Sequence, residues 1–136
     1  MTPDVHDAGS GPGRVLGVGT DLVEVHRLRA ALDRTPALLH RLFTPGEQSR
    51  CNRNQDPLPH LAARFAAKEA VMKALGSGMS AMAFTDIEVT SDGGGAPGIR
   101  LSGRAQQVAA RRGVATVHVS LTHTGDLAQA HAVATT

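Results

Sequence analysis

The sequence predicts an α+β fold, with a helix-rich N-terminal half and a small antiparallel sheet. Three observations carry that prediction. Apolar residues recur at helical spacing through the first half of the chain. In the second half they alternate one-on, one-off, as in half-buried strands. Helices first and antiparallel strands later are the pattern of an α+β domain. Explicit start and stop signals separate the segments, above all Thr44-Pro45-Gly46-Glu47 and the glycines at 76 and 113.

The first residues, MTPDVHDAGSGPG, are polar and rich in Gly and Pro, and they lack the apolar core of a signal peptide. They predict a disordered tail over 1–13, ahead of one domain over 14–136. RVLGVGT (Arg14 to Thr20) reads as a short buried strand, with Asp21 at its end. Leu22, Val25, Leu28 and Leu32 then predict a helix over Leu22 to Arg34. PALLHRLF adds a helical turn or two. At Thr44 the cap, the proline in the first turn and Glu47 form a capping box. Asp56-Pro57 caps the next helix, which Gly76 ends. TDIEVTS and GIRLS read as a hairpin around the turn SDGGGAPG, GRAQQVAARRG as a helix, and ATVHVSLTH and LAQAHAVAT as two strands joined at THTGD.

The helix holding RFAAKEAVMKALGSG (Arg64 to Gly78) has an odd wheel. At about 100° per residue, Leu61, Phe65, Met72 and Leu75 line one side, and Ala63, Ala66, Ala67, Ala70 and Ala74 the other. Four charges sit on the borders: Arg64 and Lys68 along one, Glu69 and Lys73 along the other. A helix apolar nearly all round is buried, so these charges need partners other than water.

Composition narrows the function. At 136 residues the chain suits one compact domain. There is no Trp, no Tyr and only three Phe, which argues against a base-stacking nucleic-acid platform. A net charge of +2 and a pI of 9.3 fit a phosphate-bearing ligand or an acidic partner. Cys51 is the only cysteine, so there is no disulfide framework or cysteine metal site, and a reducing cytoplasm is expected. No apolar run approaches a bilayer span.

Several residues could carry chemistry, each with an ordinary alternative. Asp21 either holds a hard cation or caps the helix after it. Glu69 either serves a cation such as Mg²⁺ or forms an i,i+4 pair with Lys73, which would stabilise by only about 0.3–0.5 kcal/mol. Arg64, Lys68 and Lys73 either converge on an anion or snorkel to the surface. Gly76-Ser77-Gly78 is either a helix stop or a phosphate-facing loop. Ser120 and Thr122 share one strand face and His123 takes the other. A hydroxyl–histidine cluster there suits phosphate, and a Ser-His hydrolase would lack its nucleophile elbow.

Three segments resemble a known family. VGTDLVEV (Val18 to Val25), RFAAKEAVMKALGSG and VHVSLTHT (Val117 to Thr124) are similar, in order and spacing, to the motifs of bacterial holo-[acyl-carrier-protein] synthases. These are the small, trimeric class of 4′-phosphopantetheinyl transferases. The resemblance covers nearly everything from Val15 to Val133, and its central motif is highly specific.

It implies the 4′-phosphopantetheinyl transferase fold, assembled as a homotrimer with active sites between subunits. It implies transfer of 4′-phosphopantetheine from coenzyme A to a serine of an apo acyl carrier protein, with release of 3′,5′-ADP, for fatty-acid or polyketide synthesis. By resemblance, Asp21 and Glu69 bind Mg²⁺ and Lys73 faces the phosphates. Arg64, Lys68, Ser77, Gly78, Ser120, His123 and Thr124 fall where the family contacts coenzyme A. Arg27, Arg34 and Arg41 fall on the surface meeting the acidic carrier. Larger relatives carry a second carboxylate two positions after the first Asp. Here that position is Val23, which leaves more of the metal's shell to water. The rival readings are a metal-dependent phosphohydrolase using the same residues and a basic nucleic-acid module with steep salt dependence.

Overall fold

The computed structural model describes residues 13–78, 80–91 and 95–136. The expected disordered tail falls outside these residues except for Gly13, and the middle of SDGGGAPG is likewise outside them. The order is β1 (Val15–Glu24), α1 (Val25–Arg34), α2 (Leu38–Leu42), α3 (Pro45–Cys51), α4 (Leu58–Ala74), a single 3₁₀ turn, β2 (Ile87–Ser91), β3 (Pro97–Leu101), α5 (Gly103–Arg111), β4 (Thr116–Thr124) and β5 (Leu127–Thr135). The α+β class holds. Its strands form an antiparallel sheet in the order β1-β5-β4 and a separate β2-β3 hairpin.

α4 lies across one face of the three-stranded sheet. Ala128, Ala130, Ala132 and Ala134 of β5 are buried beneath it, as are Ala66, Ala67, Ala70 and Ala74 of the helix. Small residues on both surfaces allow a close approach. It is closest at the glycines of β1, where a Cβ on Gly17 would lie 2.0 Å from the Ala74 carbonyl oxygen and one on Gly19 1.9 Å from that of Ala70. These glycines make room for a helix backbone, not for a ligand.

Two expectations need correction. The first strand is not short and buried. It runs on through Asp21 to Glu24 because β5 pairs with it the whole way, Asp21 opposite Ala130 and Glu24 opposite Leu127. Its inner side meets α4, while Val18 (67%) and Leu22 (59%) stand exposed on the outer side. The second concerns the cap. Asp21 is mid-strand and cannot cap α1, which begins only at Val25. The amides of Val25 and His26 are instead taken by the carbonyl oxygen and a carboxylate oxygen of Asp126, at 2.8 and 2.9 Å. The Thr44–Glu47 capping box on α3 forms as expected, and Asp56 accepts from the Leu58 amide at the start of α4.

Candidate active site

The dry helix predicted from the wheel is α4, and its four charges meet four different fates. Lys68 is fully buried. Its ammonium donates to Glu47 Oε1 (2.7 Å), Ile87 O (2.8 Å) and Phe84 O (3.0 Å). An ammonium has three donors, so none is left for a ligand. The sequence expectation that Lys68 binds coenzyme A is corrected on this ground: it ties α4 to α3 and to the start of β2. Burial pulls its pKa down, and the adjacent Glu47 carboxylate opposes that. Glu47 accepts in turn from Thr44 N, Lys68 and Val89 N. A residue read as a helix cap is thus the hub of the buried polar network.

The next residue, Glu69, and Lys73 one turn beyond it face the edge of β1. Lys73 Nζ donates to Thr20 O at 2.8 Å and to Asp21 Oδ1 at 3.2 Å. The expected alternative, a Glu69–Lys73 pair, is absent among the described ion pairs; Lys73 pairs with Asp21. Glu69 is half-buried beside Asp21. Its pKa is pushed up to about 7, first by desolvation, then by the hydrogen bond with Asp21 and that carboxylate's charge, with Lys73 opposing. Two close carboxylates, one hard to ionise without a cation, form a donor set that suits a hard divalent ion with water completing its shell. β1 aims Asp21 inward by strand alternation, and α4 brings Glu69 over it.

From these carboxylates a cleft of about 480 Å³ opens along α1, with Leu28, Leu38, Leu42, Phe65 and Phe84 in its apolar wall and Arg27 at its rim. The loop Gly76-Ser77-Gly78 continues from the helix end that bears Lys73. Gly76 takes the left-handed conformation (φ 71°), and Gly78 stands in open space. Arg27 and Arg34 are exposed one heptad apart on α1, and Arg41 is exposed on α2.

Arg64 and His123 lie elsewhere. His123 projects from the inner face of β4, edge-to-face with His60 of α4 at 5.0 Å between ring centroids. Arg64 donates to His60 O at 3.3 Å, and its Nε is buried with no hydrogen-bond partner among the described residues. With Arg50, Asn54 and Ser91 these α4 residues bound a polar cleft of about 260 Å³ that no described carboxylate lines. Such a cleft suits an anion. Burial, with the neighbouring His123 and Arg64 charges, depresses the His60 pKa. Sequence reading missed His60, although the signal was there: it stands four residues before Arg64 on one helix face. Ser120 and Thr124 are exposed on the outer face of the sheet, opposite to His123.

The expected site is therefore divided within one chain. Asp21, Glu69 and Lys73 gather at the β1 edge, and Arg64 and His123 at the β4 edge, with β5 between them. Two strand spacings amount to about 10 Å.

The chain matches the family model described as the 4′-phosphopantetheinyl transferase superfamily over residues 17–136. It is 51% identical over 121 residues to the holo-[acyl-carrier-protein] synthase of Desulforudis audaxviator, covering 88% of this chain and 92% of that one. Its fold is similar to the crystal structure of the Neisseria meningitidis holo-[acyl-carrier-protein] synthase, with a TM-score of 0.80, 31% identity, and coverage of 88% and 98%. It is similar also to the Bacillus anthracis enzyme in complex with CoA (3′,5′-ADP), with a TM-score of 0.74, 30% identity, and coverage of 90% and 97%.

Proposed function

This chain belongs to the 4′-phosphopantetheinyl transferase superfamily, among the holo-[acyl-carrier-protein] synthases, and from that premise we propose that Asp21, Glu69 and Lys73 carry a Mg²⁺-dependent transfer. The serine hydroxyl of an apo acyl carrier protein attacks the β-phosphorus of coenzyme A. The new O–P bond forms as the bond to the bridging oxygen breaks, and 3′,5′-ADP leaves. The observation that carries this reading is the grouping of Asp21, Glu69 and Lys73 at one strand edge.

Asp21 and Glu69 would hold the ion. When bound, Mg²⁺ supplies a clamp on the pyrophosphate and offsets charge in the transfer. Lys73 holds Asp21 in the free chain and is exposed enough to turn toward a phosphate. Glu69, or water held by it, takes the serine proton. The 480 Å³ cleft beside them, rimmed by Arg27, fits the approach of the carrier. Arg34 and Arg41 extend its basic border, which favours an acidic partner.

The divided site supports assembly as a ring. Coenzyme A would span the β1 edge of one copy and the β4 edge of the next, where Arg64 and His123 would meet its nucleotide end. Ser77 and Gly78 would contribute from the first copy, and Ser120 and Thr124 from a sheet face. Val18, Leu22 and Leu127 leave that outer face apolar and exposed, which suits a contact between copies. A homotrimer closes such a head-to-tail interface. No described helix is long and apolar enough to cross a membrane.

Mass spectrometry tests the reaction. Apo carrier incubated with coenzyme A and Mg²⁺ should gain the mass of phosphopantetheine, and 3′,5′-ADP should accumulate. Free phosphate with an unmodified carrier would favour the phosphohydrolase. Mixing Asp21→Ala with Arg64→Ala, each inactive alone, tests the shared site: subunit exchange should restore activity.

A further inference from the structure

The start of α1 is held by a residue about 100 positions away. In the two-residue turn between β4 and β5, Gly125 takes a positive φ of 56°. That turn presents Asp126 to the first amides of the helix. The Asp126 carbonyl accepts from Val25 N at 2.8 Å and its Oδ1 from His26 N at 2.9 Å. Its Oδ2 meets Nδ1 of the His26 ring. The bond from that ring is the first cause of the lowered Asp126 pKa. Glu24 makes no side-chain cap here; its carboxylate meets Arg27 at 3.2 Å and the far side of the His26 ring at 3.8 Å. Ligating atoms of Glu24, His26 and Asp126 come within 4.8 Å of one another. Both Asp126 oxygens are already engaged by His26, so the group works as a clamp rather than as a cation site.

The clamp's position matters to two parts of the reaction. α1 follows directly on the strand that carries Asp21, and Arg27 and Arg34 lie along it. The turn holding Asp126 follows directly on Thr124 and His123. We propose that His26 and Asp126 are positioning residues, fixing the start of α1 and its basic carrier-docking face against the β4–β5 turn. This rests on the transferase reading above. The clamp touches neither coenzyme A nor the reacting atoms; it sets where α1 presents Arg27 relative to Asp21.

The experiment is steady-state kinetics with each substrate varied in turn, alongside thermal melting. Asp126→Ala should raise KM for the apo carrier about tenfold and leave KM for coenzyme A within about twofold. Asp126→Asn keeps an acceptor for the His26 amide and should lose less than Asp126→Ala. His26→Ala removes the ring's contacts with Asp126 and, at 3.8 Å, with Glu24, and keeps both backbone bonds, so it serves if Asp126→Ala folds poorly; it should raise the carrier KM about threefold. Unchanged carrier KM in both alanine variants overturns the clamp. So does an equal rise in both KM values, or a fall in melting temperature with kinetics intact. A wild-type chain that leaves the carrier unmodified would instead overturn the transferase reading.

Discussion

Two ion pairs sit five residues apart on α4 and behave as opposites. Lys68–Glu47 is fully buried on both sides, at 2.7 Å, and every donor of the ammonium is used. Lys73–Asp21 is 56% and 16% exposed, at 3.2 Å, and leaves Glu69 beside it hard to ionise. The first is closed and the second incomplete. On a helix without a wet face, charge alone does not mark a functional residue. What marks it is unfinished business: a carboxylate short of a cation, or a lysine whose partner a ligand could replace.

The contrast breaks most visibly at Lys68. Lys68→Met leaves Glu47 buried without its cation, and the expected loss is about 3–5 kcal/mol of stability, read by urea unfolding. Coenzyme A binding by the fraction still folded should be unchanged. A variant of wild-type stability that lost coenzyme A affinity would return Lys68 to the binding site. At Lys73 the outcome should reverse. Lys73→Met should keep stability within about 1 kcal/mol and lower kcat by about 100-fold or more. A stability loss as large as that at Lys68 would erase the difference between the pairs.

This distinction was only half legible in the sequence. The wheel revealed a dry helix with charges to satisfy, and α4 is that helix. Local devices were also legible, such as the Thr44–Glu47 capping box and the Asp56 contact at the start of α4, because both partners lie within one helical turn. Lys68 was misassigned because its partners arrive from 21 residues back in Glu47 and 19 ahead in Ile87. Local sequence leaves Asp21 open between ligand and cap because neither β5 nor Asp126, which settles the cap, is near it in sequence. The division of the site between two sheet edges depends on strand order, and local periodicity carries no strand order.

Glu69 sharpens the open side of the comparison through pH. An acid whose folded pKa lies near 7, above its usual 4.5, holds its proton more tightly when folded. Its contribution to stability is complete below about pH 4.5 and is lost as pH rises through about 7. The metal-free chain should therefore melt at lower temperature at pH 8 than at pH 6. Glu69→Gln should flatten that slope and remove Mg²⁺-dependent turnover. Mg²⁺ added at pH 8 should raise the melting temperature of the wild type but not of the variant. A flat wild-type profile would mean that the carboxylates do not press on one another.

The smallest effect belongs to a third pair, at the wet end of the scale. Arg27 meets Glu24 at 3.2 Å with 76% and 43% of the side chains exposed. Water and salt screen such a pair, and the long side chain loses freedom in making it, so Arg27→Ala should cost less than about 1 kcal/mol. Its effect should instead fall on encounter. Removing one cation from the cleft rim should slow association with an acidic carrier by a few-fold at low salt, and the difference should fade as the Debye length shrinks toward about 8 Å at physiological ionic strength. Stopped-flow association rates across a salt series read this directly. A penalty that persists at high salt would place Arg27 in a dry contact, closer in kind to Lys68 than to the surface.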